Sequence, residues 1–316
     1  MLYEPQIYPL KESSPPAEPE PFYGNYQEGV PIALDLGTSS FKVGLTNALA
    51  PLNVFPSLIS RYRDRKAQKL LTLIGNDVYR DLAFKLSIKS PFDGPLVTNW
   101  DYIEDMLDYS FEHLSVSSNN GKLNNPVILT EPPCVPLSQR KMYYELLYET
   151  YNAPKVTFGI DSLFAHYANT TSETSNALVI GVGHELTHVI PVIDGRGVLL
   201  QTKRLDWGGS ESLQFLQKLL SMKYPYFPLK VSLNHSQNLF KDHCYVSLDY
   251  STELAHYLDV DVLEKKDRVL QAPVEIVAPE KKKSEEELAK QAEKRREQGR
   301  RLQQQAKQKR AEKLLQ

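Results

Sequence analysis

Pro31-Ile32-Ala33-Leu34-Asp35-Leu36-Gly37-Thr38-Ser39-Ser40-Phe41-Lys42-Val43-Gly44-Leu45 decides the fold. An apolar run, a small-residue turn and an alternating run follow one another, which is the pattern of two strands joined as a β-hairpin. The device recurs about 145 residues later. Ala177-Leu178-Val179-Ile180 runs into Gly181-Val182-Gly183 and then into Thr187-His188-Val189-Ile190-Pro191-Val192. Two copies of one supersecondary unit predict two related halves rather than a single sheet.

Between the copies, strands and helices alternate. Val54 to Ile59 and Lys69 to Ile74 are short apolar runs, set apart by the charged stretch Arg61 to Lys66, and read as a small antiparallel addition. Ile103, Met106, Leu107, Phe111 and Leu114 recur at helical spacing behind Thr98 and Asn99, either of which can cap that helix, with its end near Ser115. Val127 to Thr130 reads as a buried strand stopped by Pro132-Pro133. A helix capped by Ser138 follows, then a strand over Val156 to Ile160 and a helix from Asp161 to Tyr167. Gly208, Gly209 and Ser210 begin another helix, and Leu239 to Tyr250 reads as a further one. This alternation predicts an α/β layer structure with a parallel component.

The ends differ from the body. Residues 1–29 hold six prolines and read as an extended arm. Residues 280–316 contain 13 Lys or Arg, 7 Asp or Glu, and no aromatic or β-branched residue, so that segment carries +6. The whole chain of 316 residues carries a formal −2, which leaves −8 on the body. The near-neutral total therefore hides two opposed electrostatic objects. Cys134 and Cys244 are the only cysteines and lie far apart, which argues against a disulfide scaffold or a structural zinc site. No 18-residue apolar run and no signal-peptide pattern is present, so the expectation is a soluble intracellular protein.

Two motifs carry chemistry. In Asp35 to Lys42 the glycine lets backbone approach a ligand, successive amides point into the turn, and Thr38, Ser39, Ser40 and Lys42 add donors and charge. This is the composition of a phosphate cradle, with Asp35 a holder for a hydrated metal ion; it is also that of an ordinary hairpin turn. His184-Glu185-Leu186-Thr187-His188 matches the two-histidine zinc motif, which needs a helix. The flanks read as strands, where residues four apart lie about 13 Å from each other, too far to share one zinc. No metal site is expected.

Further stretches turn these observations into a resemblance. Asn53-Val54-Phe55-Pro56-Ser57-Leu58-Ile59, Pro95-Leu96-Val97-Thr98-Asn99-Trp100-Asp101, Pro126-Val127-Ile128-Leu129-Thr130-Glu131, Tyr148-Glu149-Thr150-Tyr151-Asn152-Ala153-Pro154, Leu205-Asp206-Trp207-Gly208-Gly209 and Cys244-Tyr245-Val246-Ser247-Leu248-Asp249 all resemble actin, in the same order, over residues 30–250. The resemblance implies the actin-like ATPase fold shared with heat-shock proteins and sugar kinases. Its first half would span 30–170, its partial second half 171–258, and a charged helical or disordered tail 259–316. Gly183 and Thr187 join Asp35, Gly37, Thr38, Ser39, Ser40 and Lys42 as implied phosphate-binding residues, with ATP or ADP and magnesium as the implied ligand. The second loop departs from the family: Gly181-Val182-Gly183-His184-Glu185 lacks both aspartates, and Asp161 stands where actin has a glutamine that orients water. That implies impaired or lost hydrolysis. The region between Ile59 and Pro91 is shorter than in actin, which implies no actin-like filament.

Within the family, the Pro-rich arm, Ser57-Leu58-Ile59-Ser60-Arg61-Tyr62-Arg63-Asp64-Arg65 and the charged tail are most similar to the actin-related protein five class. That class implies a nuclear, non-catalytic subunit of an INO-eighty type chromatin-remodelling complex, serving transcription and DNA repair. Its partners would be a remodelling motor, other subunits and nucleosomes, and no membrane. Lys281, Lys282, Lys283, Lys294, Arg295, Arg296, Arg300 and Arg301 are the candidate contacts to nucleic acid or partner.

Overall fold

The computed structural model describes residues 6–10, 27–64, 68–80, 82–116, 122–171 and 175–272. In chain order the elements are β1 (Gln6–Pro9), β2 (Ile32–Leu36), β3 (Ser40–Leu45), β4 (Asn53–Pro56), β5 (Ile59–Asp64), β6 (Lys69–Ile74), α1 (Leu82–Lys85), β7 (Ile88–Lys89), β8 (Phe92–Asp93), β9 (Leu96–Val97), α2 (Trp100–His113), β10 (Val127–Glu131), α3 (Leu137–Glu145), β11 (Val156–Ile160) and α4 (Asp161–Asn169). The second half adds β12 (Ala177–Val182), β13 (Thr187–Ile193), β14 (Arg196–Gly197), β15 (Lys203–Leu205), α5 (Gly209–Lys223), α6 (Leu233–His243), α7 (Tyr250–Tyr257), α8 (Val260–Lys266) and β16 (Arg268–Gln271).

The first half is a five-stranded sheet in the order β11-β10-β2-β3-β4. β10 lies parallel to both β2 and β11, whereas β2, β3 and β4 form an antiparallel meander. Strand residues with buried alternate side chains, Ile32, Leu34, Phe41, Val43, Val127 and Leu129, face the apolar stripe of α2, where Ile103, Met106 and Leu107 are buried. Asn99 caps α2 by accepting a hydrogen bond from the Tyr102 amide at 3.2 Å. Asn125, wholly buried, donates to the carbonyls of Gln27 and Val30 and so fixes the chain entering β2 beside β10.

The second half repeats the antiparallel hairpin, with β13 paired to β12, β14 and β15. Its core is thinner. Ile190 and Val192 are buried, but β12 turns Leu178, Ile180 and Val182 outward with more than half of each side chain in solvent. A strand apolar on both faces is built for burial on both, and among the described residues nothing covers the outer one.

Several expectations change in detail. The run from Val54 to Ile59 is two strands, since β4 ends at Pro56 and joins the main sheet while β5 pairs with β6 and β7. The charged residues expected as a spacer begin inside β5. Arg61 reaches Asp105 of α2 at 2.6 Å and lies over the Tyr102 ring, which gives a charged strand residue a docking partner. Ser138 is not a cap: α3 begins at Leu137 after Pro136, whose missing amide is harmless at a helix start. Leu239 to Tyr250 is not one helix either. Ser232 caps α6, which stops at His243, and Asp249 caps α7, so the caps set boundaries that the apolar spacing did not. In the arm, Gln6–Pro9 forms a strand against β16, and in the segment after 258 both α8 and β16 are regular elements.

Leu129 is fully buried between β2 and β11. Leu129→Ala should therefore cost about 2–5 kcal/mol, as a transfer loss plus a residual cavity. A urea unfolding titration reads this directly, and a loss below about 1 kcal/mol would mean that the strand is not central to the core.

Candidate functional site

The parallel strands β2, β10 and β11 all end at one edge of the main sheet, and α4 begins there. In open α/β sheets ligands sit outside the carboxyl ends of such strands. A cleft of about 300 Å³ lies at this edge, bounded by the turn after β2, by Thr130 and Glu131, by Asp161, and by the turn after β12. It adjoins a larger cavity of about 1180 Å³ that reaches Ser232, Asn234, Gln237 and Lys241 on and before α6.

Asp35, Gly37, Thr38, Ser39, Ser40 and Lys42 all line the cleft. Asp35 and Lys42 are directly opposed across the β2–β3 ladder, and Lys42 Nζ stands 2.7 Å from Asp35 Oδ2. Thr130 donates its hydroxyl to Asp35 Oδ1 at 2.6 Å. Both carboxylate oxygens are thus engaged. Ser57 holds the turn from behind, donating its hydroxyl to the Gly37 carbonyl at 2.6 Å and its amide to the Ser39 carbonyl at 3.1 Å. A Cβ on Gly37 would sit 2.8 Å from the Ser40 carbonyl oxygen, so only glycine permits this turn.

The second turn brings Gly183, His184 and Glu185 into the same cleft. It closes on itself through the Gly183 amide and the Leu186 carbonyl at 2.8 Å. The start of α5 then fastens it, with the Gly209 and Ser210 amides donating to the Gly183 and His184 carbonyls at 3.1 and 2.8 Å. These helix-end donors bind the protein's own loop. Gly208 makes the approach sterically feasible, since a Cβ there would lie 2.3 Å from the His184 oxygen. Glu211 accepts hydrogen bonds from the Gly208 amide and the Ser210 hydroxyl, which hold its carboxyl below the usual carboxylate range.

Thr187 does not reach the cleft. Period-two alternation along β13 turns it to the other face, where it donates to the Trp207 carbonyl at 2.7 Å. His188 faces the cleft instead. It stands opposite Gly181 across the β12–β13 ladder, is buried, and its Nε2 has no hydrogen-bond partner among the described residues. Burial lowers its pKa against the opposing influence of Asp161, and Arg204 adds to the lowering. Sequence reading treated His188 only as half of a zinc motif, and strand alternation was the signal that could have assigned it to the cleft. Thr130 left no such signal, because its contact with Asp35 arises from the pairing of distant strands. Glu131, also at the cleft, is held by the Arg140 guanidinium.

Magnesium, the ion implied by the resemblance, would find no preformed all-protein cage here, its usual set being one or two carboxylates beside phosphate and water oxygens. Asp35 is taken up by Lys42 and Thr130, the second turn offers His184 beside Glu185 with 3.6 Å between Nε2 and Oε1, and among the described residues no group of three or more His, Cys, Asp or Glu side chains is placed to hold a metal ion. His184 and His188 lie in a turn and a strand rather than on a helix, as the flanks predicted. The eight basic candidates from Lys281 to Arg301 lie outside the described residues.

Comparison with known proteins agrees with this architecture. The actin family model matches residues 27–297. Among curated proteins, the chain is 46% identical over 301 residues to "Actin-related protein 5" of Saccharomyces cerevisiae, 42% identical over 295 residues to "Actin-like protein arp5" of Schizosaccharomyces pombe, and 33% identical over 276 residues to "Actin-related protein 5" of Homo sapiens. These alignments cover 94%, 93% and 84% of the chain, and 40%, 40% and 45% of the relatives. The chain therefore spans less than half the length of these three relatives.

A buried neutral histidine makes stability depend on pH with a definite sign. His188 has a folded pKa below its unfolded one, so its stabilising contribution is present above about pH 6.5 and is lost progressively as pH falls below that unfolded value and through the lower folded one. The midpoint of thermal unfolding should fall between pH 7.5 and 5.5, and His188→Gln should flatten that fall. An unchanged pH profile in the variant would show that His188 is not buried neutral.

Proposed function

The chain belongs to the actin family, with relatives of the actin-related protein five type, and on that premise we propose that it is a non-catalytic subunit of a nuclear chromatin-remodelling complex. In this reading it couples the remodelling motor to nucleosomes in transcription regulation and DNA repair. The observation that carries the non-catalytic part is the second turn: where a hydrolytic site needs groups that stabilise developing charge and orient water, this cleft presents His184 paired toward Glu185, beside an Asp35 that is hydrogen-bonded by Lys42 and Thr130.

The first turn retains the chemistry of a phosphate cradle, with Gly37, three hydroxyl-bearing residues and Lys42 at the cleft. ATP or ADP is the ligand this suggests, held as a structural element between the two turns. The same feature is what a second reading, a cytoskeletal-type nucleotide-binding ATPase, would use. The two readings differ in turnover and in partners. In affinity purification from nuclear extract, the first expects a helicase-type motor with its companion subunits, and recovery of cytoskeletal actin-binding proteins instead would overturn it. Purified protein should hydrolyse ATP at background rate, while actin-like turnover would restore the second reading.

The basic segment supplies the nucleosome contact in this proposal. Its 13 Lys or Arg against 7 Asp or Glu favour phosphate neutralisation, a salt-dependent term. Deleting residues 280–316 should weaken retention on nucleosomes at moderate salt and reduce the salt dependence of binding, with the unfolding midpoint of the body unchanged. Equal retention of the deleted and intact chains would remove the segment from the interface.

A further inference from the structure

The strand β1 pairs in parallel with β16, joining Gln6, Ile7, Tyr8 and Pro9 to Arg268, Val269, Leu270 and Gln271 across almost the whole chain. A two-stranded pair is marginal on its own in water, and parallel pairing is the weaker kind. Pro9 also lacks an amide to contribute. Backbone hydrogen bonds alone therefore do not account for the position of this segment.

The missing stabilisation lies one residue further on. Leu10 donates its amide to the Gln271 carbonyl at 2.8 Å and is only 3% exposed. Its side chain enters an apolar groove formed by Leu220 of α5, Tyr224, Phe227 and Val231 of the segment that follows it, Leu239 of α6, and Leu270 of β16. A cavity of about 230 Å³ remains in the groove. Tyr8 packs edge-on against His243 with ring centroids 4.8 Å apart, and Arg268 lies over Tyr8 while meeting His243 Nδ1 at 2.8 Å. Ile7 and Val269 point to solvent as a facing pair.

A strand edge beside a socket for one apolar side chain is the geometry by which proteins bind extended peptides. We propose that β16 and the α5–α6 groove form a recognition site for an extended segment that ends in a socketed leucine, and that its occupant is this chain's own residues 6–10. The segment acts as a strap in cis. It closes the groove and ties residues 268–272 to the helices of the second half. This site is separate from the cleft and uses none of its residues.

The test uses the full chain with Cys134→Ser and Cys244→Ser, both native cysteines being free and exposed, and adds Ile7→Cys with Val269→Cys. Mild oxidation should join the two new cysteines within one chain, seen as a monomer of altered mobility on a non-reducing gel. A disulfide-linked dimer would overturn occupancy in cis and indicate exchange of the strap between copies. No cross-link at all would overturn the pairing. Adding Leu10→Asp should slow cross-linking at least tenfold by placing a carboxylate in the apolar socket, whereas Leu10→Met, similar in volume, should leave the rate within about twofold. Equal rates for Leu10→Asp and the parent would show that the socket does not hold the strap.

Discussion

The parallel insertion of β10 between β2 and β11 is the constraint on which the rest of the structure depends. It places residues nearly a hundred positions apart side by side, so that Thr130 can donate to Asp35 and Glu131 and Asp161 can share an edge with the first glycine turn. Parallel strands end together, and a helix starting beyond them leaves a crevice at their carboxyl ends. The buried residues of β2, β10 and α2 make that geometry rigid, because a core packed at crystal-like density resists shifts of even one methylene.

The second half uses the same hairpin for a different purpose. Its glycine turn is bound by the amides at the start of α5, which are thereby spent on the protein's own carbonyls. The turn is held in place by main-chain contacts that any side chain at 184 and 185 would permit. The shape of this loop depends on Gly208 and on backbone donors, whereas its ligand chemistry depends on the side chains. The cleft therefore joins a turn shaped by backbone contacts to side chains, His184 and Glu185, that those contacts leave unconstrained.

The two halves also differ in how fully they are packed. In the first, a helix and a sheet enclose a continuous apolar cluster. In the second, the outward residues of β12 remain in solvent among the described residues, and the groove between α5 and α6 is closed by a strand from the far end of the sequence. Strand order alone does not separate these cases. What separates them is which apolar surface each element finds, and the N-terminal strand finds its surface in the second half rather than the first.

Local chemistry determined what the sequence could reveal by itself. Alternating apolar residues around Gly37 and Gly183 announced both hairpins, Asn99 announced the cap of α2, and the strand flanks of His184 and His188 spoke against a zinc helix. Each of these rests on residues within a few positions of one another, where spacing sets which side chains share a face. Tertiary structure decided the rest: that Lys42 and Thr130 both engage Asp35, that His188 rather than Thr187 faces the cleft, and that residues 6–10 of the Pro-rich arm pair with β16. Those outcomes depend on contacts between distant segments, whose register is fixed by the burial of both partners together and so leaves no periodic trace in either one.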